Sequence, residues 1–258
     1  MNILVAGKGF IGQKIGEKLE QEHEVKYLDR SDADVEHDVT EEFDIEEEFD
    51  VVYHTIGLAP GFFEEEQYRK VHVEGTRNIV DAVDAEKIVY ISALNAGEVE
   101  HSFMQTKKQA EEIIQESGMD YTIVRPSTVY GKGNKLLDMM RKTARTRIFP
   151  DIKTETQPIL RENLIDLFVE VAEGHENEVI NAAGPEKISV GRMAGKIYAE
   201  EGYSCVLVPY PQFLLGWKLV GLSFLPPPFQ KENVQLLRAG NTTDRNDAAE
   251  IIELHSVF

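Results

Sequence analysis

Three glycines and three charged side chains carry most of the chemistry legible in this sequence. Gly7, Gly9 and Gly12 fall in a Gly-x-Gly-x-x-Gly spacing, directly after the apolar run Ile3-Leu4-Val5-Ala6 and before an amphipathic stretch from Gln13 to Glu20. In a strand-turn-helix setting the first glycine permits the tight turn, the second lets bare main chain approach a diphosphate, and the third lets helix and strand pack closely. Free N–H groups at the start of such a helix receive phosphate oxygens. Gly7, Lys8, Gly9, Phe10, Ile11 and Gly12 are therefore the expected cradle, with the Lys8 ammonium as a further phosphate partner. An acid about 20 residues past the glycines hydrogen-bonds the adenosine ribose and disfavours a 2'-phosphate, whereas a nearby arginine favours one. Asp29 and Arg30 supply both signals. Asp29 ends its strand directly, which favours NAD(H); Lys8 and Arg30 keep NADP(H) open.

The elements that must position these groups alternate between strand and helix. Glu24 to Leu28 reads as the second strand, and a third short segment leads into Asp38-Val39, where a carboxylate can accept from the adenine amino group. Asp50 to Gly57 is a fourth strand running into a small-residue turn, so that Thr55, Ile56 and Gly57 offer a flat cofactor a backbone surface. A long helix from Glu66 to Val83, a strand from Lys87 to Ser92, a helix from His101 to about Ser117 and a strand from Met119 to Arg125 follow, the last running into Pro126. This alternation predicts an α/β fold, a Rossmann-type doubly wound parallel sheet covered on both faces, with the ligand crevice at one strand edge. His54 and His72 belong to no acid-and-histidine cluster at ligand spacing, so they read as polar turn or core histidines, with no metal.

The expected division is a dinucleotide-binding domain over 1–150 and a C-terminal segment over 151–258. Part of that segment returns to the sheet and part forms a small substrate or partner lobe. Leu160 to Glu173 reads as helix, Glu178 to Ala182 as a returning strand, Ser189 as the cap of a helix from Val190 to Glu201, and Val206 to Pro209 as a strand. From Phe213 to Leu225 the chain is apolar nearly all round, followed by Pro226-Pro227-Pro228. Burial in the lobe is the first reading of 213–229. The others are a wall for an apolar small molecule and a surface docking on a membrane protein. Thirteen residues do not cross a bilayer.

With 46 acidic against 27 basic residues the formal net charge is -19, and the acids recur along the whole chain. Such a surface repels phosphate backbones, so nucleic acid is not an expected partner, and it is of the kind halophilic organisms use. The basic residues between Lys132 and Arg147 have two readings, a local balance to this acidity, which is preferred, and a patch that attracts an anionic substrate headgroup. A single cysteine, Cys205, excludes an intramolecular disulfide framework and a thiolate zinc site. A core strand begins at the N-terminus and no apolar run reaches spanning length, so a cytoplasmic location is expected, with peripheral membrane contact left open.

Taken together, the glycine turn, Asp38-Val39, His54-Thr55-Ile56-Gly57, Gly75-Thr76-Arg77-Asn78, and Lys107 with Arg125-Pro126-Ser127-Thr128-Val129-Tyr130-Gly131 resemble one superfamily. It is the extended and atypical short-chain dehydrogenase/reductases, the NAD-dependent epimerase/dehydratase-like group. Ser92 to Gly97, Gln157-Pro158-Ile159, Asn181 to Glu186 and the stretch from Pro226 to Leu237 look most like its atypical branch, which includes the nucleotide-binding accessory subunit of respiratory complex I. The resemblance implies a cofactor lying along the residues already named, with Ser92, Lys107 and Pro126 at its nicotinamide end. It also implies a tyrosine four residues before the lysine as acid/base, and here that position is Phe103. A phenyl ring exchanges no proton. The serine or threonine that orients substrate falls near Ala93 or Leu94. Lys107 keeps two roles open, holding the nicotinamide ribose hydroxyls or acting as a lone general base. The expected function is thus a cofactor-binding protein of weak or no dehydrogenase activity. The alternative is an oxidoreductase or epimerase on an apolar or sugar-nucleotide substrate, using Lys107 with Tyr130 or His101 as the nearest proton donors in sequence.

Overall fold

The computed structural model describes residues 1–209 and 234–258. Its centre is a seven-stranded parallel sheet. The first six strands are β1 (Asn2–Ala6), β2 (Glu24–Asp29), β3 (Val35–Glu36), β4 (Glu48–His54), β5 (Asp84–Ile91) and β6 (Asp120–Pro126). Short strands β7 (Val129–Tyr130), β8 (Ile148–Asp151), β9 (Glu155–Thr156) and β10 (Ile159–Leu160) precede the seventh, β11 (Glu178–Ala182). Across the sheet the order is β3-β2-β1-β4-β5-β6-β11, so the strand order reverses between β1 and β4 while the strands stay parallel. That reversal opens a crevice beyond the carboxyl ends of the two strands, the usual ligand position in an open α/β sheet.

Helices cover both faces because the strands are apolar on both. Ile3, Leu4, Val5 and Ala6 are fully buried, and alternate residues feed opposite cores. On one face α1 (Gly12–Leu19) packs with Leu164, Leu167 and Phe168, which lie in a helix over Arg161–Glu170. On the other face lie Ile79 of the long helical stretch and Ala110 and Ile114 of the helix over Ser102–Gln115. Expected as one uniform helix, the stretch from 65 to 82 is three joined pieces: α2 (Glu65–Tyr68), a π-helical segment over Arg69–Glu74, and α3 (Gly75–Ala82). The wider turn changes which side chains face α4 (Ser102–Gln115), and such π insertions recur at functional sites.

A small lobe stands over the crevice. It contains α5 (Lys135–Thr143), α6 (Arg161–Glu170) borders it from the main body, and α7 (Val190–Glu200) completes it together with β12 (Ile188–Ser189) and β13 (Val206–Pro209). Ser189 caps α7 by accepting from the Arg192 amide, as its position in the sequence indicates. β13 pairs in parallel with β8, and β12 antiparallel with β9. The lobe's core is Tyr130, Leu137, Met140, Phe149, Met193, Ile197 and Tyr198, drawn from both sides of residue 150. The C-terminal Phe258 ring sits edge-on to Tyr130 at 5.0 Å, and the Tyr130 hydroxyl is 2.6 Å from both carboxylate oxygens of Glu200. Two short helices, α8 (Val234–Ala239) and α9 (Ala248–Ile251), complete the described chain. The apolar stretch 213–229 lies outside the described residues. No helix among the described residues is long and apolar enough to cross a membrane.

Candidate cofactor and active site

The glycine turn is held by close backbone packing. Gly7 has φ +106°, and a Cβ on Gly12 would lie 1.9 Å from the Gly7 carbonyl oxygen and 2.3 Å from Thr55 Oγ1. A Cβ on Gly9, in contrast, would meet nothing within 4 Å. The turn thus needs Gly7 and Gly12 to form at all, whereas Gly9 leaves open space for an incoming group. The amides of Phe10 and Ile11 make no hydrogen bond among the described residues, as a phosphate cradle requires. Thr55 donates to the carbonyls of Ala6 and Gly7, fixing β4 against the turn.

A single cavity of about 670 Å³ runs along the crevice. It is lined by Gly7, Gly9, Phe10, Ile11, Gly12, Asp29, Arg30, Asp38, Val39, Thr55, Ile56, Gly57, Ser92, Lys107 and Pro126, so nearly every residue singled out in the sequence meets in one place. Lys8 is not among the lining residues. Its ammonium bonds the Asp32 carbonyl at 2.5 Å and carboxylate at 3.0 Å at the protein surface. Its amide remains in the turn and donates to Asp29 Oδ2 at 2.7 Å, while the Arg30 amide donates to Oδ1 at 2.7 Å. Two main-chain donors therefore aim the Asp29 carboxylate. Asp38 accepts from the amide and hydroxyl of Thr40, which holds its carboxyl below the usual range. Asn78 donates to the Val39 carbonyl at 2.8 Å, and Gly75 leaves room for the Val39 side chain, so the Gly75-Thr76-Arg77-Asn78 motif buttresses this end of the site.

At the other end Lys107 is 4% exposed. Its Nζ donates to the Ile91 carbonyl at 2.7 Å and to the Tyr90 hydroxyl at 3.1 Å. Burial brings this amine down to about 7, with Glu111 opposing the shift. Gly57 gives it space, since a Cβ there would lie 3.2 Å from Nζ. Glu111 is fully buried and accepts from Ser92 Oγ at 2.5 Å and from Arg125 through two guanidinium nitrogens at 2.8 and 2.6 Å. Ser92 is thereby committed to a structural carboxylate.

Phe103 stands one helical turn before Lys107 in the cavity wall. Its ring packs edge-on against Tyr68 and His72, with centroids 5.6 and 5.5 Å apart. His72 Nε2 accepts from the Leu58 amide, so Nδ1 carries the proton and donates to Thr106 Oγ1, whose own hydrogen goes to a helix carbonyl. His72 lies in the π segment. Burial holds His72 well below its usual range and takes His54, which bonds Thr76, down to about 3. Tyr130 and His101 do not line the cavity: Tyr130 is bound to Glu200, and His101 caps α4 through the Phe103 amide. Sequence reasoning missed Tyr90, Glu111 and the loop from Leu58 to Phe63. Tyr90 reads as strand core and Glu111 as one more helix acid; the loop's apolar content was its one signal.

A family model described as NAD(P)H-binding matches residues 7–148, more than half of the chain, including the glycine turn and Lys107. The chain belongs to this NAD(P)H-binding family. Solved structures of two epimerases and a dehydratase share the fold. UDP-glucuronic acid 4-epimerase from Bacillus cereus in complex with NAD superposes with TM-score 0.68 at 20% identity, covering 82% of this chain and 86% of that one. UDP-glucose 4-epimerase from Thermotoga maritima gives 0.65 at 19%, covering 82% and 86%. The NAD-dependent NDP-hexosamine 5,6-dehydratase TunA gives 0.66 at 20%, again covering 82% and 86%. A curated relative, the mitochondrial NADH-ubiquinone oxidoreductase 40 kDa subunit of Neurospora crassa, is 32% identical over 91 residues. That match spans 34% of this chain and only 24% of the relative's length.

Proposed function

We propose that this NAD(P)-binding chain takes NAD(H) in preference to NADP(H), and that it works as a cofactor-binding protein with weak or no dehydrogenase turnover. Phe103 is the observation that carries the second part. It occupies the wall one turn from Lys107, and the hydroxyls and imidazoles around it are committed: Ser92 to Glu111, Tyr68 to the Ala59 carbonyl, and His72 to Leu58 and Thr106. A bound nicotinamide supplies hydride transfer. This chain would supply the Phe10 and Ile11 amides to the diphosphate, Asp29 to the adenosine ribose, and a Lys107 N–H to the ribose at the far end. The preference for NAD(H) is supported by an aimed Asp29 carboxylate and by a Lys8 ammonium already held by Asp32. An accessory role beside a larger assembly is supported by the Neurospora relative, a subunit by name. In the second reading Lys107 is itself the acid/base of an oxidoreductase or epimerase, which an amine titrating near 7 at the cavity wall favours.

Calorimetric titration with NAD⁺, NADH, NADP⁺ and NADPH tests the proposal. Asp29→Ala should weaken NAD(H) by roughly tenfold to a hundredfold, the cost of about 1.5–3 kcal/mol for a lost hydrogen bond to a charged group, and should weaken NADP(H) less. Gly9→Val should abolish binding with the circular dichroism spectrum unchanged, because its side chain fills only the cradle. No affinity for any of the four nucleotides would overturn the reading. Oxidation of NADH against a defined substrate at ordinary enzymatic rates would overturn the non-catalytic part alone.

A further inference from the structure

The cavity is longer than the cofactor cradle. Past Phe103 and Lys107 it continues between the loop after β4, α4 and the small lobe, where its walls include Leu58, Phe62, Phe63, Met104, Leu136 and Met193. Several polar groups along this outer half already have partners, while the buried Asn241 Oδ1 has none among the described residues. The hydroxyls of Thr128 and Thr156 bond each other at 2.8 Å, Ser127 donates to the Asn241 carbonyl at 2.8 Å, and the Asn134 side chain caps α5 through the amides of Leu136 and Leu137. Cations are scarce there as well. Among the described residues the cavity is lined by Arg30, Lys107 and Lys135 only. Arg30 sits beside Asp29 at the adenosine end, Lys107 uses two donors on Tyr90 and Ile91, and Lys135 lies over the Phe63 ring at 4.5 Å. Glu155 adds a negative charge to the same wall.

A nucleotide sugar would bring a second diphosphate and a row of hydroxyls into this space. Each such group loses water on entry and needs a partner in exchange, and an unpaired charge costs most. Among the described residues the outer half offers no cluster of cations for a second diphosphate. Apolar walls, on the other hand, gain from any apolar surface they cover.

We infer that the outer half of the cavity receives an uncharged, mostly apolar small molecule, and not the nucleotide sugar of the structurally similar epimerases. The inference rests on the reading that a dinucleotide fills the inner half. Phe103 then has a positive role, since a phenyl ring continues the apolar wall up to the nicotinamide end. Lys135 on Phe63 closes the rim with a cation whose charge is already directed at an aromatic face.

The test uses the full chain saturated with NAD⁺, with menthone as the neutral apolar probe and UDP-glucose as its rival, each followed by calorimetry and saturation-transfer NMR. Menthone should bind saturably, and Phe63→Ser or Leu136→Ser, from opposite walls, should each weaken it by roughly tenfold. Both side chains are half-buried, so a fold lost in one variant leaves the other to be read. Saturable binding of UDP-glucose, failure of menthone to bind, or menthone binding untouched by both substitutions would each overturn the inference. Titration of NAD⁺ into the same proteins before they are saturated reads the cofactor proposal separately.

Discussion

Lys107 is buried although it is a lysine, and the consequence is measurable in stability. Removing an ammonium from water is costly, and two hydrogen bonds offset the cost only in part. With its amine at about 7 in the folded chain and near 10.4 when unfolded, the unfolded state binds the extra proton between those values. Stability contributed by this group therefore rises as pH climbs through that window and is lost as pH falls back to 7. Lys107→Met keeps the length and removes the titration. The variant should be more stable than the parent at pH 6, and its advantage should shrink by about 1.4 kcal/mol per pH unit between 7 and 10. Urea unfolding of both proteins across that range measures it. A constant difference would mean that Lys107 titrates normally and that water reaches its amine.

At the scale of elements, α4 is pinned to the sheet by one buried carboxylate. Glu111 joins Ser92 after β5 to Arg125 in β6, at the point where those strands end in the cavity. Glu111→Ala leaves Arg125 facing an emptied site and should cost about 3–5 kcal/mol, seen as a lower urea midpoint. A loss below about 1 kcal/mol would place the pair in surface-like solvent. Elements of this kind divide into those the sequence displays and those it conceals. β1, β4 and β5 are legible because each is a dense apolar run, and the glycine spacing locates the turn since only glycine fits Gly7 and Gly12. The return of Glu178–Ala182 to the sheet is legible as a short alternating strand, but the pairing of β13 with β8 is a tertiary choice. The π segment leaves no trace, as a slipped hydrogen-bond register hardly alters apolar periodicity over six residues. Glu111 is concealed too: beside Lys108 and Glu112 it resembles any exposed helix acid, and only the fold reveals Arg125 across from it. The contact of Lys8 with Asp32 is concealed for a related reason, because Asp32 reaches it through a local bend that spacing does not encode.

For the molecule as a whole, two electrostatic effects oppose each other on acidification, and their pH ranges separate them. An excess of 19 negative charges repels itself across the surface, and that repulsion falls with added salt or once carboxylates begin to protonate below about pH 5. His54 and His72 act earlier. Both are buried as neutral rings, His54 at about 3 and His72 well below its usual range, so unfolding releases them to values near 6.5 and takes up protons. The unfolded chain then binds more protons than the native one, and stability must decline as pH falls below 6.5. One pH unit below that point His54 accounts for about 1.4 kcal/mol, and His72 adds to the decline in the same direction. Urea unfolding in concentrated KCl, where surface repulsion is screened, should show this decline between pH 7.5 and 5.5, and at pH 7.5 the midpoint should rise as KCl is added. Stability that holds flat or improves on acidification in high salt would mean that both imidazoles are protonated at no cost. The packing that seats His72 between Leu58 and Thr106, and with it the wall behind Phe103, would then have to be redrawn.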